Sequence, residues 1–220
     1  MTATHSLPNL GTQQSPIAVE RTHEANIEVS INWESLVLSP KCDGYTPARK
    51  LSAKPGKKSG HLAMDGERYV PVDLHWHFPA EHIVGKKKSA YPSEVHIVHV
   101  HRDDVAFALQ GKLDWCRIAV VGVFIKSGRE PYAPMTVAVE NDTKAVRVLR
   151  EAILPSELGA TRYRGSLTTP PYSENVTFIL LDSPMTATKA QLADQDLPNA
   201  RPLQACNRRF CMHGSVNVKT

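Results

Sequence analysis

Two histidine-bearing segments stand out in the chain, YVPVDLHWHF over residues 69–78 and EVHIVHVH over residues 94–101. Both alternate polar and apolar positions and are rich in β-branched side chains, which predicts strands. His75 and His77 are two residues apart, so their side chains leave the same face of the first strand. An antiparallel neighbour that carries His96 can place a third ring opposite this pair.

The three imidazoles predict a catalytic zinc site, because zinc takes neutral nitrogen donors and three protein ligands leave a fourth position for water. A His-x-His pair alone is more often a structural coincidence. Two carboxylates favour the metal site, since Asp73 shares the face of His75 and Glu94 shares the face of His96. There each carboxylate can accept the distal ring N–H and orient its histidine.

Whether a strand residue lies an odd or an even number of positions from His96 decides which face of the strand it is on. His99 and His101 lie an odd number of residues from His96, so they are predicted on the opposite face of the strand. We interpret both as packed or hydrogen-bonded histidines. His61 and His82, which lie off the two paired strands, receive the same interpretation.

The rest of the chain is also predicted to be mainly β. Three more segments alternate or run apolar as strands do, and two segments carry helical signals. Thr188 and Gln191 have the spacing of a capping box at the start of the second helical segment. The predicted strands are residues 18–29, 118–125 and 176–181, and the predicted helices are residues 144–154 and 188–197.

The composition fits a single globular domain. Of the 220 residues, 41% are hydrophobic and 22% are charged, which excludes a disordered or coiled-coil chain. The formal net charge of +4 is too small to point to nucleic acid as a partner. The longest apolar run, residues 118–125, is too short to span a membrane.

The N-terminus and the cysteines predict the compartment. Residues 1–16 show no basic segment followed by an apolar one, so no secretory signal is visible and a cytoplasmic location is expected. The location would be periplasmic or secreted if a signal had been removed. The cysteines contain no CxxC pair and are expected to be reduced thiols; they are Cys42, Cys116, Cys206 and Cys211.

Five motifs occur in the order in which one known family carries them. Three are long, namely LHWHFPAEH at 74–82, SEVHIVH at 93–99 and GSLTTPP at 165–171. Two are shorter, namely QSPI at 14–17 and NARPLQ at 199–204. Through these motifs the sequence resembles the α-class carbonic anhydrases, in particular bacterial and cytosolic-type members, over nearly its whole length.

The resemblance implies a fold. Members of this family are mainly β (α+β) proteins, with one domain around a large, twisted, mostly antiparallel sheet of about ten strands and short peripheral helices. We therefore expect a single domain over residues 1–220, with residues 1–13 and 211–220 as loosely ordered tails. Pro16 and Pro171 match cis prolines of the family.

The resemblance also implies an activity. It identifies His75, His77 and His96 as the zinc ligands of a carbonate dehydratase. This lyase hydrates CO2 reversibly to bicarbonate and a proton by attack of a zinc-bound hydroxide. Thr168 matches the residue whose hydroxyl accepts from that hydroxide and donates to a carboxylate, which here is Glu81.

Other residues acquire expected roles through the same resemblance. An apolar wall for CO2 is expected beside the metal, with a phenylalanine where the family usually has a tryptophan. Asn199 joins Asp73 and Glu94 among the residues that orient the ligands, and sulfonamide or anion inhibitors are expected at the zinc. The substrate-binding residues implied are Val98, Val120, Leu167, Val176, Phe178 and, on the bicarbonate side, Thr169.

The chain departs from the family pattern in three places. At the offset of the family's proton-shuttling histidine it has Asp43-Gly44-Tyr45. Tyr45 is the candidate shuttle, but its pKa of about 10 makes tyrosine a poor one at neutral pH, so we expect slow proton transfer that imidazole buffers rescue. The stretch before QSPI is shorter than usual, and Asn9 and Tyr172 replace the cysteine pair of secreted members.

Two other functions stay open. The family includes carbonic-anhydrase-related binding proteins with little or no hydratase activity, which usually lack one of the zinc-binding histidines. All three histidines are present here, which favours the enzyme. A hydrolase that uses the same zinc site on esters is the other alternative, and the oligomeric state, including a homo-oligomer, is not predicted.

Overall fold

The computed structural model describes residues 11–40, 50–56, 60–85, 90–140, 144–193 and 198–219. Within them strands predominate, and both α-helices are short. The helices are α1 (Val105–Leu109) and α2 (Ala133–Glu140), and 3₁₀ turns span Arg102–Asp104, Leu113–Trp115 and Arg150–Ala152. The strands are β1 (Ala18–Val19), β2 (His23–Glu24), β3 (Val29–Ile31), β4 (Ser35–Pro40), β5 (Lys50–Pro55), β6 (Leu62–Met64), β7 (Glu67–His77), β8 (Ile83–Val84), β9 (Ser93–His101), β10 (Ile118–Ser127), β11 (Val146–Leu149), β12 (Gly159–Gly165), β13 (Val176–Leu181), β14 (Met185–Ala187), β15 (Met212–Ser215) and β16 (Asn217–Val218).

One large sheet contains fourteen of the described strands, in the order β11-β4-β5-β7-β9-β10-β13-β12-β15-β2. β14 lies beside β10, and β6, β3 and β16 extend from β7. This confirms the expected mainly β fold around a large sheet. The sheet is mixed, however, because β10 runs parallel to β13 and β14, β15 to β2, and β16 to β3, while its other pairs are antiparallel.

The middle of the sheet carries the histidines. β7 and β9 run antiparallel with His75 directly opposite His96. Because opposite residues of antiparallel strands project to the same face, this register brings the two rings together. A register shift between Pro71 and Asp73 leaves Val72 as an extra residue on β7, as in a β-bulge.

The two faces of the central strands pack against different groups of side chains. Leu74 and Trp76 of β7 and Ile97 of β9 point into the larger hydrophobic core. Val98 of β9 and Phe178 of β13 point to the opposite face and belong to a smaller core. Alternation along each strand therefore places the histidine cluster on the face with the smaller core.

The helix predicted for residues 144–154 is wrong. The segment forms β11 and the 3₁₀ turn Arg150–Ala152, and β11 pairs with β4 at the sheet edge. Val148 is buried there, whereas Leu149, which the helical pattern placed inside, is 56% exposed. Ladder hydrogen bonds and β-branched side chains outweigh a short 3.6-residue pattern.

The other predicted elements have mixed outcomes. The strands predicted at 69–78, 94–101, 118–125 and 176–181 are confirmed as β7, β9, β10 and β13, while residues 18–29 are divided among β1, β2 and the first residue of β3. Backbone N–H groups of Gln191 and Thr188 donate to each other's side-chain oxygens at 3.2 Å, as a capping box requires. Only turns and one 3₁₀ residue follow up to residue 193, and residues 194–197 lie outside the described ranges.

The C-terminal residues differ from the loose tail predicted at 211–220. Met212–Ser215 forms β15 and pairs with β12, and Asn217–Val218 forms β16 and pairs with β3. Pairing with β15 satisfies backbone groups of β12 that would otherwise stand at an open sheet edge. Residues 1–10 of the predicted N-terminal tail lie outside the described ranges.

The structure also bears on the cis prolines and on membrane-spanning helices. The peptide bonds before Pro16 and Pro171 are cis, as the resemblance implies, and so is the bond before Pro79. Neither described helix is long and apolar enough to cross a membrane.

Candidate metal centre

Three histidine rings converge on the face of β7 and β9 that packs the smaller core. The ring centroids of His75, His77 and His96 lie 4.8 to 5.4 Å apart. One potential ligand nitrogen from each ring lies within 4.8 Å of the other two. The predicted strand parity and pairing therefore bring together the three residues singled out in the sequence.

Each ring is held by a hydrogen bond on one of its nitrogens. The Nδ1–H of His75 donates to Asp73 Oδ1 at 2.6 Å, and the Nε2–H of His96 donates to Glu94 Oε1 at 2.8 Å. The Nδ1 of His77 makes a longer contact of 3.4 Å with the backbone oxygen of Asn199. In its neutral form an imidazole carries one N–H, so in that form each of these bonds leaves an unprotonated nitrogen as a potential ligand.

Asn199 acts mainly through the backbone of the strand that carries the ligands. Its Oδ1 accepts from the backbone N–H of Phe78 at 2.8 Å, and its Nδ2 donates to the carbonyl of Trp76 at 3.2 Å. These two bonds flank His77 on the chain. Asn199 therefore fixes the end of β7 at the ligand, which agrees with its expected orienting role.

The donor set fits a metal ion. Nε2 of His77 is buried and has no hydrogen-bond partner in the described part of the chain. A buried polar atom without a partner costs about 1–3 kcal/mol, and a bound cation would satisfy it. Burial, together with the neighbouring His96 and His75, holds the pKa of His77 well below its usual value, which favours the neutral form that a metal ligand requires.

Glu94 lies at the centre of a buried hydrogen-bond network behind His96. Its carboxylate accepts from Nδ1–H of His82 at 2.7 Å and from the backbone N–H of the same residue at 2.8 Å. Nε2 of His82 then accepts from the hydroxyl of Tyr163 at 2.5 Å, and Ser15 Oγ lies 2.9 Å from that hydroxyl. Burial alone would raise the pKa of Glu94, but His82 and His96 hold it well below its usual value, so the carboxylate is charged.

Gly122 on β10 leaves room for this network. It pairs with His96 across the ladder. A Cβ at this position would lie 2.7 Å from Cδ2 of Leu180 and 3.2 Å from Oε1 of Glu94. A larger residue would therefore overlap Leu180 and press against the carboxylate that orients His96.

Glu81 is buried beside the ligand nitrogens. Its Oε1 accepts from the backbone N–H of Arg201 at 2.9 Å. Its Oε2 lies 3.4 Å from Nε2 of His77 and 3.9 Å from Nδ1 of His96. The hydrogen bond from Thr168 that the resemblance implies is not made, because Oε2 has no hydrogen-bond partner among the described residues.

A cavity of about 570 Å³ opens beside the histidines, a volume typical of small-molecule sites. His75 and His96 line it, and so does Thr168. Every residue predicted to bind substrate also lines this cavity, and most of them are apolar. They are Val98, Val120, Leu167, Thr169, Val176 and Phe178.

A charged part of the cavity lining was not predicted from the sequence. It is formed by Lys50, Ser52 and Lys54 of β5, next to Asp73. Arg201 and His82 were not predicted as parts of the site, although both lie inside the quoted motifs; His82 was predicted to be a packed or hydrogen-bonded histidine, which is confirmed. Strand parity could not find these residues because none lies on β7 or β9.

Tyr45 is the candidate proton shuttle, and His61 was predicted to be a packed or hydrogen-bonded histidine. Tyr45 and its neighbours at 41–49 lie outside the described ranges. His61 is within them, and its Nε2 lies 3.0 Å from Nδ2 of Asn32. It does not line the metal-site cavity, which agrees with its interpretation as a hydrogen-bonded histidine.

Comparison with known proteins points to the same family as the sequence motifs. The sequence matches the family described as eukaryotic-type carbonic anhydrase over residues 4–210. A carbonic anhydrase of Klebsiella pneumoniae is 29% identical over 211 residues, which cover 90% of this chain and 79% of that protein.

Solved structures show the same fold. The α-carbonic anhydrase of Photobacterium profundum aligns with a TM-score of 0.72 and 27% identity, over 92% of this chain and 89% of the other. The α-carbonic anhydrase of Thermovibrio ammonificans, in complex with the inhibitor sulfanilamide, aligns with a TM-score of 0.70 and 29% identity, over 92% and 87%. With the histidine cluster in this fold and the match over residues 4–210, the chain belongs to the α-class, eukaryotic-type carbonic anhydrase family.

Proposed function

We propose that this chain hydrates CO2 reversibly to bicarbonate with a zinc ion held by His75, His77 and His96. CO2 hydration is the general activity of the family. The observation that carries the proposal is the set of three converging imidazoles, of which His77 has a buried Nε2 without a partner. Three histidine donors with a further position open suit zinc best among the common metals.

The orienting groups support a ligand role for the histidines. A bound zinc ion supplies a nucleophile at neutral pH by lowering the pKa of a coordinated water to about 7, for which this enzyme class is the standard example. Asp73 and Glu94 accept the outer N–H groups of His75 and His96, which fixes the tautomer of each ring. Burial and the other two rings keep His77 neutral by lowering its pKa.

The two sides of the cavity suit the two reactants. CO2 is apolar, and the wall formed by Val120, Val176 and Phe178 offers it a surface that water does not compete for. Thr169 lines the same cavity on the side proposed for bicarbonate. Thr168 is proposed to accept a hydrogen bond from the attacking oxygen and to donate one to Glu81 Oε2, which has no other partner among the described residues.

The proposal is tested by stopped-flow CO2 hydration on protein of known zinc content, before and after chelation. Activity is expected with about one zinc per chain, to disappear on chelation and to return with added zinc. His77→Gln is expected to lose zinc and activity together, whereas the exposed His23→Gln serves as the matched control.

Two results would contradict this function. Full zinc occupancy without hydration would favour a carbonic-anhydrase-related binding protein. Activity that persists without metal would show that the reaction does not require the metal. Binding of sulfanilamide by the zinc-loaded protein and not by the zinc-free protein would support the metal site independently of turnover.

A further inference from the structure

One wall of the cavity carries positive charge in a regular pattern. Alternation along β5 buries Leu51 and Ala53 completely in the larger core. The intervening residues Lys50, Ser52 and Lys54 face the other way and line the metal-site cavity. We call these three residues the β5 strip.

The strip begins at the metal site and leads away from it. In the β5–β7 ladder Lys50 pairs with His75, and Ser52 pairs with Asp73. Lys54 is four residues beyond Lys50, which corresponds to about 13 Å along an extended strand. A molecule held at the histidines can therefore reach the strip with its far end.

The charge of the strip is only partly neutralised. Nζ of Lys50 lies 3.2 Å from Oδ2 of Asp73, whose other oxygen accepts from His75. Lys54 is exposed, and no ion pair joins it to a carboxylate of the described residues. The outer part of the strip therefore presents an ammonium group to the cavity, with the hydroxyl of Ser52 beside it.

We infer that the β5 strip is a binding subsite for an anionic group, so that the cavity selects ligands with a metal-binding end and a carboxylate at the opposite end. The inference rests on the proposed function, because the metal anchors one end of the ligand. Apolar contacts from the rest of the cavity lining would hold the middle of such a ligand, and Lys54 with Ser52 would bind its carboxylate. Charge and hydrogen bonding together give the strip its selectivity.

The test uses three benzenesulfonamides that differ only in the para group, namely methyl, carboxylate and aminomethyl. Their dissociation constants are measured by calorimetry on the zinc-loaded protein and on the variants Lys54→Gln and Lys50→Gln. The quantity compared is the ratio of the methyl to the carboxylate constant. Comparing this ratio between variants removes the effect of the para group on the sulfonamide itself.

Lys54→Gln is expected to lower that ratio by about three- to tenfold, the effect of one unpaired charge at a partly solvated site. The aminomethyl compound is expected to gain affinity in the same variant. High salt is expected to reduce the discrimination in the unmodified protein, because at 1 M salt the Debye length is about 3 Å. The control is Lys126→Gln, an exposed lysine of β10 outside the cavity, which should leave every ratio unchanged.

The results that would contradict the inference can be told apart. If all three compounds bind but neither lysine variant changes the ratio, the subsite is excluded and the metal site stands. If the Lys126→Gln control changes the ratio as much as Lys54→Gln, the selectivity comes from overall charge and the subsite is also excluded. If no sulfonamide binds the zinc-loaded protein although it hydrates CO2, the subsite is wrong and the proposed function stands. If the protein neither binds a sulfonamide nor hydrates CO2, both are wrong.

Discussion

At the scale of single residues, the ligand rings are oriented by the nitrogen that faces away from the metal position. His75 and His96 each donate to a carboxylate, whereas His77 makes a 3.4 Å contact with a backbone oxygen. Carboxylate partners make an imidazole a stronger ligand than a carbonyl partner does. His75 and His96 are therefore the ligands whose strength depends most on neighbouring side chains.

Asp73→Asn is expected to weaken zinc binding by about tenfold, and Asp73→Ala by up to about a hundredfold. Asparagine can still accept from His75 but lacks the charge, while alanine leaves the ring without a partner. Competition with a chromogenic chelator measures the zinc dissociation constant directly. Asp114→Asn, an exposed position, is the control, and equal zinc affinities in all the proteins would contradict the orienting role of Asp73.

Thr168→Val is expected to lower kcat/KM by roughly a hundredfold, because the attacking oxygen loses a hydrogen-bond partner that positions it. Thr168→Ser keeps the hydroxyl and should retain most of the activity. Hydration rates and zinc content are measured on both variants. Similar rates for the valine and serine variants at equal zinc content would show that the hydroxyl is not used.

At the scale of secondary-structure elements, distant strands are joined by side chains as well as by ladders. His213 on β15 lies 2.9 Å from Glu24 of β2 through Nδ1 and 2.8 Å from Asp182, just after β13, through Nε2. The hydrogen bond with Asp182 raises the pKa of His213, and Glu24 adds to this effect. The imidazole of His213 therefore links β15 to β2 and to Asp182 just after β13.

His213→Gln is expected to reduce the free energy of unfolding by up to about 1 kcal/mol, as for partly exposed ion pairs. A raised pKa in the folded state means that this stabilisation is present below about pH 6.5, the usual pKa of histidine, and is lost as the pH rises through the folded-state value. Urea unfolding of both proteins at about pH 6 and about pH 9 measures the difference. A difference that grows toward high pH would contradict the assignment, and His23→Gln should show no such trend.

At the scale of the whole molecule, the cavity is built from segments far apart in the chain. Its apolar lining comes from Val72 of β7, from β9, β10 and β13, from Ala108, Leu109 and Leu113, and from the residues after β12, while its lysines come from β5. Such a cavity would give small buffer molecules a route toward the metal site. This bears on the prediction that proton transfer is slow, because by the family resemblance Tyr45 occupies the offset of the proton-shuttling histidine of fast members.

Imidazole buffer is expected to raise kcat and to leave kcat/KM unchanged, because it accelerates proton removal and not the attack on CO2. Tyr45→His is expected to raise kcat in imidazole-free buffer and to reduce the effect of imidazole, since a pKa of about 6.5 suits transfer at neutral pH. Stopped-flow hydration at several imidazole concentrations measures both effects. A maximal rate that does not depend on imidazole would mean that proton transfer is not limiting.

The strength of the local sequence pattern explains which secondary-structure elements could be predicted. The strands at 118–125 and 176–181 are long apolar runs, and such runs leave few alternatives to a buried strand. Residues 144–154 satisfied a helical pattern with three apolar positions, too few to outweigh pairing with β4. Helices α1 and α2, with five and eight residues, are too short for a periodic signal to stand out.

Side-chain alternation along single strands was sufficient to place His75 and His77 on one face with Asp73, and His96 on one face with Glu94, because the direction of a strand side chain depends only on its parity. That the two faces coincide depends on the pairing of His75 with His96 between β7 and β9. The family motifs added the residues of the apolar wall. Neither could show that Lys50 and Lys54 line the same cavity, or that His213 joins Glu24 to Asp182. Those contacts depend on the order of strands in the sheet and on the paths of long connections, which local sequence does not encode.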